Sequence, residues 1–214
     1  MIKKEKSKNK KFKSHFLKIG SFLILIGLFI IGYHIYSNYR LNCIEDKNIN
    51  EFFNEEQDVE NIPQQNEFIE VEKKEIKKKY YDYIAVLEIP KINVKKGLSN
   101  EKYYNNVNRN VEILKGSDMP NISKGNFILA GHSGSGRVSY FKNLDKLVIG
   151  DISYIYYGGI KYTYKVTNIY DIEKNGTALI TRDLDKTTLT MITCRHNTNK
   201  QIIVISELIN QENY

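Results

Sequence analysis

Short apolar runs separated by turn residues fill the second half of the chain, a pattern typical of β-strands. The runs are rich in Ile, Val, Tyr and Thr, which pleated surfaces favour. The pattern predicts strands over residues 83–89, 126–130, 152–157, 161–170, 187–193 and 201–208. The first run stops at Pro90, and the pair Gly158-Gly159 predicts a tight hairpin between two of the runs.

One short helix is predicted over residues 139–147, because Phe141, Leu144 and Leu147 fall on one face of a helical repeat. Ser139 is a suitable residue to cap its start. Short strands with few helices favour a mainly β fold, a closed or nearly closed barrel.

The N-terminal part has a different pattern. Residues 19–36 contain no charged side chain, and with Phe16 and Leu17 the stretch reaches the roughly 20 residues that span a bilayer. The alternative is a cleaved signal peptide, but no small-x-small cleavage site follows the apolar run. We therefore predict a single transmembrane helix that is retained.

Charge is concentrated at the start of the chain. Residues 1–18 carry eight Lys and one Glu, a net charge of +7 that equals the charge of the whole chain. Such a tail predicts a cytoplasmic N-terminus and an external C-terminal part, and it gives no reason to expect nucleic acid as a partner.

Residues 37–79 read as an acidic stalk. Ten acidic residues and one Lys lie between Glu45 and Glu72, and such composition buries little surface, so at most a short helix near Phe52-Phe53 is expected. The predicted organisation is a basic tail (1–18), an anchor (19–36), the stalk (37–79) and a folded domain (80–214).

The chain has two cysteines, Cys43 in the stalk and Cys194 at the end of a predicted strand. Their different settings favour two free thiols, with one disulfide as the alternative outside the cell.

Cys194 has the placement of a nucleophile, because a strand ends there and a polar loop, residues 195–200, follows. A thiolate that attacks an amide needs a partner to protonate the leaving amine. His132 lies in a glycine-rich turn after the 126–130 strand and is the candidate for that role. His196 lies two residues after the nucleophile, but a loop histidine more often faces water.

Three motifs in this order resemble those of sortases, the cysteine transpeptidases of Gram-positive cell surfaces. They are Leu-Glu-Ile-Pro-Lys-Ile at 87–92, Leu-Ala-Gly-His-Ser-Gly at 129–134 and Thr-Leu-Thr-Met-Ile-Thr-Cys at 188–194. The resemblance, closest to sortases of classes B and D from Clostridia-like organisms, covers about residues 80–208. It implies an eight-stranded β-barrel.

The resemblance also implies a reaction. Cys194 would cleave a C-terminal sorting signal of secreted proteins through a thioester, and His132 would act as acid and then base. The acyl group would pass to an amine of a cell-wall precursor or a pilin. The enzyme would be a thiol protease-like transpeptidase held at the cell membrane with its catalytic domain outside.

Sortases usually carry an arginine on the strand after the cysteine, before an apolar run. Here Lys200-Gln201 precede that run, so Gln201 is the positional candidate and Lys200 the second choice. Arg195 and Arg137 are further candidates for the same role.

No cofactor is indicated. Ca²⁺, which part of the family binds, stays possible through Glu88, Glu101 and Asp118, although their spacing does not require it. Two other functions stay open. One is a surface module that binds sorting signals without turnover; the other is an L,D-transpeptidase, although Thr193-Cys194-Arg195 lacks the glycine of that enzyme's motif.

Overall fold

The structure, a computed structural model, describes residues 2–60, 83–174 and 177–214. Within the first range, side chains are described from residue 18 to residue 54. The chain forms two compact units, residues 1–46 and residues 47–214.

The N-terminal element is the helix α1 (Ile2–Glu60). An 18-residue window of this helix reaches a mean hydropathy of 2.0, and none of the window is buried. Its large side chains are exposed, for example Phe22 at 63% and Phe29 at 75%. Among the described residues, α1 is the one helix whose length and composition would allow it to cross a membrane.

The helix extends further than the sequence predicted. At most a short helix was expected within the acidic segment, whereas α1 continues without a break to Glu60. Ile49, Phe52 and Phe53 have the i, i+3, i+4 spacing of one helix face, which the acidic composition concealed. Ile49 and Phe52 are buried and pack with Tyr83 and Val86. Residues 61–82, which include the predicted start of the folded domain, lie outside the described residues, and the four-part division stays a prediction.

Eight strands form one nearly closed, barrel-like sheet, which confirms the predicted mainly β fold. They are β1 (Ala85–Ile89), β2 (Val94–Leu98), β3 (Glu112–Ile113), β4 (Asn126–Ala130), β5 (Ile152–Tyr157), β6 (Ile160–Glu173), β7 (Thr188–Cys194) and β8 (Lys200–Asn213). Their order in the sheet is β2-β1-β5-β6-β8-β7-β4-β3. All neighbours are antiparallel except β4 and β7, which are parallel.

The hairpin between β5 and β6 is formed as predicted. Gly158 and Gly159 have φ values of 59° and 73°, which a residue with a Cβ rarely adopts. Positive φ at both turn residues matches the twist of the two strands.

Two strands were missed by the pattern analysis. β2 reads Val-Lys-Lys-Gly-Leu, which has neither alternation nor β-branched enrichment beyond its first residue. β3 has only two residues, too few for any periodicity. Both form the ends of the sheet order, where a strand needs a partner on one side only.

The predicted helix over residues 139–147 is wrong in extent. The structure has a single 3₁₀ turn, Leu144–Lys146, and a second 3₁₀ turn, Pro90–Ile92, follows β1. The backbone amide of Phe141 donates to the carbonyl of His132 at 3.0 Å, so it is unavailable for a helical bond. The apolar residues that suggested the helix, Phe141, Leu144 and Leu147, are nevertheless all buried.

The strands bury side chains on both faces. The inward face forms the main core, here called the inner cluster, to which β7 and β8 contribute Leu189, Met191, Ile202 and Val204. The opposite face carries a second group, the outer cluster, built on Ile192, Ile203 and Ile205, with Leu114, Ile128, Tyr170, Ile172 and Ile180 packed against it. Successive side chains of a strand point to opposite faces, which explains why neighbouring residues belong to different clusters.

Candidate active site

Cys194 is the last residue of β7 and is a free, half-buried thiol. It pairs directly with Gln201 of β8. By strand alternation Cys194 shares its face with Ile192, a member of the outer cluster. The candidate nucleophile therefore lies at one end of the outer cluster and not in the core.

His132 reaches the same edge of the sheet through β4. Ala130 of β4 pairs with Ile192 of β7, and the strands are parallel, so their carboxyl ends meet at one edge. The Gly131 amide donates to the Ile192 carbonyl at 3.2 Å, and the Thr193 hydroxyl donates to the Gly131 carbonyl at 2.7 Å. Two residues beyond the Ala130–Ile192 pair, His132 lies in the turn after β4 and Cys194 is the last residue of β7.

The backbone of His132, in the turn after β4, is fixed by contacts with Phe141. A Cβ on Gly131 would lie 2.9 Å from the Phe141 ring, so a larger residue there would displace that buried side chain. The amide of Phe141 in turn donates to the His132 carbonyl. Glycine at 131 therefore serves the close packing that fixes the histidine backbone.

Asn108 is a residue that the sequence reasoning missed. Its Oδ1 lies 3.2 Å from Nε2 of His132, and it belongs to the connection between β2 and β3. In the tautomer that protonates Nε2, this nitrogen donates to Asn108 and Nδ1 is the free acceptor. No spacing in the sequence links the two residues, which are 24 positions apart.

The four candidates for the arginine role differ in their positions relative to Cys194. Gln201 is half-buried and directly opposite Cys194, so both side chains lie on one face. Lys200 is its neighbour on the strand and points to the other face. Its carbonyl accepts from the Arg195 amide at 2.9 Å.

Arg195 forms an ion pair with Asp171. Its Nε donates to Oδ1 of Asp171 at 2.6 Å, an ion pair with β6. Asp171 pairs with Ile202, an inner-cluster residue, so this contact belongs to the opposite face from Cys194. Arg137 is exposed in the loop after His132, and His196 is exposed in the hairpin after Cys194. Strand pairing thus places Gln201 opposite Cys194 and brings the turn with His132 to the same edge of the sheet.

The residues considered for Ca²⁺ lie in separate elements. Glu88 of β1 accepts from the Tyr156 hydroxyl at 3.0 Å, and burial together with the Glu88 charge raises the pKa of Tyr156. Asp118 accepts from the Asn126 amide at 2.8 Å, and Glu101 is exposed. Over the residues that the structure describes, no three His, Cys, Asp or Glu side chains are grouped as a metal site.

Comparison with known families decides the identity. The sequence profile of the Sortase domain matches residues 87–209, more than half of the chain. The chain belongs to the sortase family. The profile covers β1 through most of β8 and therefore includes His132, Cys194 and Gln201.

Solved sortases share the fold of this sortase. The Clostridium perfringens sortase D5 transpeptidase is 28% identical, with a TM-score of 0.51 over 60% of this chain and 80% of that chain. Sortase C-1 of Actinomyces oris (24% identity, TM-score 0.54) covers 60% of this chain and 72% of its own. A lid mutant of Corynebacterium diphtheriae sortase A (24% identity, TM-score 0.53) covers 60% and 71%. The last two support the fold alone.

No curated protein sequence matches the chain at a significant level. The similar structures named above are sortases of classes D, C and A. None of these three is a class B sortase, so the predicted likeness to class B stays a prediction.

Proposed function

We propose that this sortase cleaves a C-terminal sorting signal of secreted proteins at Cys194 and transfers the new acyl group to an amine. The observation that carries the proposal is the shared edge of β4 and β7, where Cys194 ends β7 and His132 follows β4 by two residues. Family membership supports a transpeptidase, and it sets aside the L,D-transpeptidase alternative.

In the first half of the reaction, the Cys194 thiolate adds to the carbonyl carbon of the scissile peptide bond. The carbonyl oxygen takes up negative charge, to which the Gln201 side-chain amide donates a hydrogen bond. The C–N bond then breaks, and His132 gives its proton to the departing amine. The product is a thioester between the signal and Cys194.

In the second half, an acceptor amine attacks the thioester carbonyl. His132 takes the proton from the attacking nitrogen, and the Cys194 thiolate leaves. The acceptor is an amine of a cell-wall precursor or a pilin lysine. The result is a new amide bond, so that no net hydrolysis is required.

The outer cluster fixes the strand end at which the signal has to reach Cys194. Ile192 lies two residues before Cys194 on the same face, about 7 Å along the strand. Because Ile192 is buried, the scissile bond of the signal must reach the end of the strand, where the Cys194 thiol is half-buried.

A cleavage screen tests the function. The full chain, purified in detergent, is incubated with a panel of sorting-signal peptides, with and without an added amine. We expect one class of peptide to be cleaved and, with the amine present, to appear as the ligated product. Cys194→Ala should do neither, and cleavage by that variant would contradict the proposal.

The screen also separates the second candidate, a binding module without turnover. The absence of the usual arginine favours that candidate, because an uncharged glutamine stabilises an oxyanion less than a guanidinium does. A binding module would bind a peptide at a measurable Kd and release it uncut.

For location, we propose a single-pass membrane protein with residues 1–18 in the cytoplasm and residues 37–214 outside. The eight lysines before the apolar stretch support this orientation. Protease treatment of intact protoplasts should remove the C-terminal domain, and a protected domain would contradict it.

A further inference from the structure

The connection between β2 and β3 links the two strands at the ends of the sheet order. These two strands are not paired with each other in that order. Residues 105–110 of the connection, here called the bridge, form side-chain hydrogen bonds to both of them. The bridge therefore joins the two ends of the nearly closed sheet.

Asn105 fastens the bridge to β3. Its Nδ2 donates to the Ile113 carbonyl at 3.0 Å, and its Oδ1 accepts from the Ile113 amide at 2.6 Å. One carboxamide thus satisfies both backbone groups of Ile113, as a neighbouring strand would do. The Val107 amide donates to Oε2 of Glu112 at 3.1 Å, which holds the middle of the bridge to the same strand.

Asn110 fastens the other end of the bridge to β2. The residue is only 6% exposed, and its Nδ2 donates to the Gly97 carbonyl at 2.8 Å. Its backbone amide donates to the Asn106 carbonyl at 2.8 Å, and the Asn108 amide donates to Oδ1 of Asn106 at 2.9 Å. The backbone of Asn108 is therefore fixed between the two anchors.

From this fixed position Asn108 contacts the ring of His132. The two atoms in contact, 3.2 Å apart, are Oδ1 of Asn108 and Nε2 of His132. An amide oxygen only accepts hydrogen bonds, so the contact requires a proton on Nε2 in both the neutral and the cationic ring. Nδ1 is then the nitrogen that this contact leaves free to gain and lose a proton.

We propose that Asn105 and Asn110 are positioning residues, which hold Asn108 against Nε2 of His132 and so assign the proton transfer to Nδ1. The assignment rests on the proposed function. As the thioester forms, the proton on Nδ1 passes to the departing amine nitrogen and the electron pair stays on Nδ1. In the second half, Nδ1 takes a proton from the acceptor amine, and Nε2 keeps its own proton throughout.

The first test reads the ring without any substrate. The full chain in detergent is labelled with ¹⁵N histidine, and the His132 signals are identified by their loss in His132→Ala. In the neutral ring of the wild type, Nε2 should be protonated and Nδ1 unprotonated. Asn108→Ala and Asn105→Ala should both move the two nitrogen shifts toward a mixture of tautomers. A wild-type ring protonated on Nδ1, or an Asn105→Ala ring identical to wild type, would overturn the proposal.

The second test uses the peptide that the cleavage screen selects. Asn108→Ala should lower kcat about fivefold, the factor expected for one net hydrogen bond, and leave KM within twofold, because the contact orients the ring and not the peptide. Asn108→Asp should restore kcat, since a carboxylate oxygen also accepts from Nε2. Asn121→Ala, at an exposed asparagine in the turn before β4, is the control and should match wild type.

The anchors are tested through their coupling to Asn108. Asn105→Ala should lower kcat, and adding it to Asn108→Ala should have little further effect, because both act through one contact. Asn110→Ala should behave in the same way. Since Asn110 is buried, its turnover is measured below the thermal midpoint of the variant. Losses of kcat that add fully in the double variants would contradict the coupling through Asn108.

The outcomes separate this proposal from the proposed function. A wild-type enzyme that cleaves no peptide would contradict the proposed function, while the nitrogen shifts would still decide whether the bridge orients His132. Normal cleavage by the wild type, with an unchanged kcat in Asn108→Ala, would overturn the role of the bridge in proton transfer alone.

Discussion

The two faces of β7 and β8 differ in burial and in the roles expected of their residues. On the inward face, Leu189, Met191 and Val204 are completely buried in the main core. On the outward face, Cys194 and Gln201 sit half-buried at the end of a smaller apolar cluster. Strand alternation alone separates them, so the candidate nucleophile lies a few residues from the core but on the opposite face of the sheet.

The comparison also explains why the chemistry lies at strand ends. An outward residue in the middle of β7 or β8 is buried, as Ile192 at 5% and Ile203 at 0% show. Only at the end of β7 and the start of β8 are the outward residues Cys194 and Gln201 partly exposed to solvent. The parallel neighbour β4 ends at the same edge and delivers His132.

The largest effect should come from the outward thiol. Cys194→Ala should abolish cleavage, because the proposed thioester forms on its sulfur, and should leave the thermal midpoint nearly unchanged, since the side chain is half-buried. Cys43→Ala is the matched control and should be almost silent. Peptide cleavage and thermal unfolding of both variants check this. A cleaving Cys194→Ala protein would break the comparison at its centre.

The second effect concerns the proton donor. His132→Ala should lower kcat by about 10²- to 10⁴-fold, the usual contribution of a positioned acid or base. His196→Ala, which removes an exposed histidine two residues from the nucleophile, should have little effect. Equal losses of kcat in both variants would mean that a position at the shared edge of β4 and β7 does not determine which histidine is the proton donor.

The third effect distinguishes the two faces at adjacent residues of β8. Gln201→Ala should lower kcat/KM by about 10²- to 10³-fold, as for loss of one oxyanion donor. Lys200→Ala, on the opposite face, should have a small effect, and Gln201→Arg should match or raise activity if the longer side chain fits. A large loss in Lys200→Ala with an active Gln201→Ala would reverse the assignment. If neither variant is affected, the role has passed to another residue, with Arg137 next to test.

The fourth prediction concerns the inward face, and the quantity it changes is the free energy of unfolding. Met191→Ala should lower the free energy of unfolding by about 2–5 kcal/mol, because the site is completely buried. Below its lowered melting temperature the variant should keep its kcat/KM. Denaturant unfolding and turnover at low temperature check both, and a folded but inactive Met191→Ala would show that the faces are not separable.

The smallest effect is expected at Arg195. Arg195→Ala removes an ion pair to Asp171 whose two side chains are 35% and 31% exposed, so stability should fall by about 1 kcal/mol or less. Activity should stay close to wild type, in contrast to Gln201→Ala. A loss of activity as large as that of Gln201→Ala would give Arg195 a part in the reaction.

The sequence predicted the elements whose patterns are local. The runs that became β4 and β5 were predicted with their bounds, because apolar and aromatic residues dominate them and a glycine follows each. β2 and the long extent of α1 were missed, since Lys-rich or acidic composition masked their structure. In the candidate site, Cys194 and His132 follow apolar runs and can be found from pattern, whereas Gln201 was found only through the resemblance to sortases, which carry an arginine before that apolar run.

What pattern could not give is contact across the chain. Asn108 meets His132 through the fold of the β2–β3 connection, and Tyr170 meets the backbone of Leu179 and Thr181 through hydrogen bonds of its hydroxyl. Likewise Arg195, adjacent to the nucleophile in sequence, is turned away by Asp171. Such partners depend on three-dimensional packing, to which no single spacing corresponds.

The most direct measurement is the mass of the enzyme caught during turnover. The full chain, with both cysteines intact, is mixed with a cleaved sorting-signal peptide in the absence of an acceptor amine, quenched in acid and digested. The account predicts a mass increase equal to the acyl part of the peptide, mapped to Cys194 and removed by hydroxylamine. An adduct on Cys43, or cleavage with no adduct on Cys194 at any time during turnover, would contradict it.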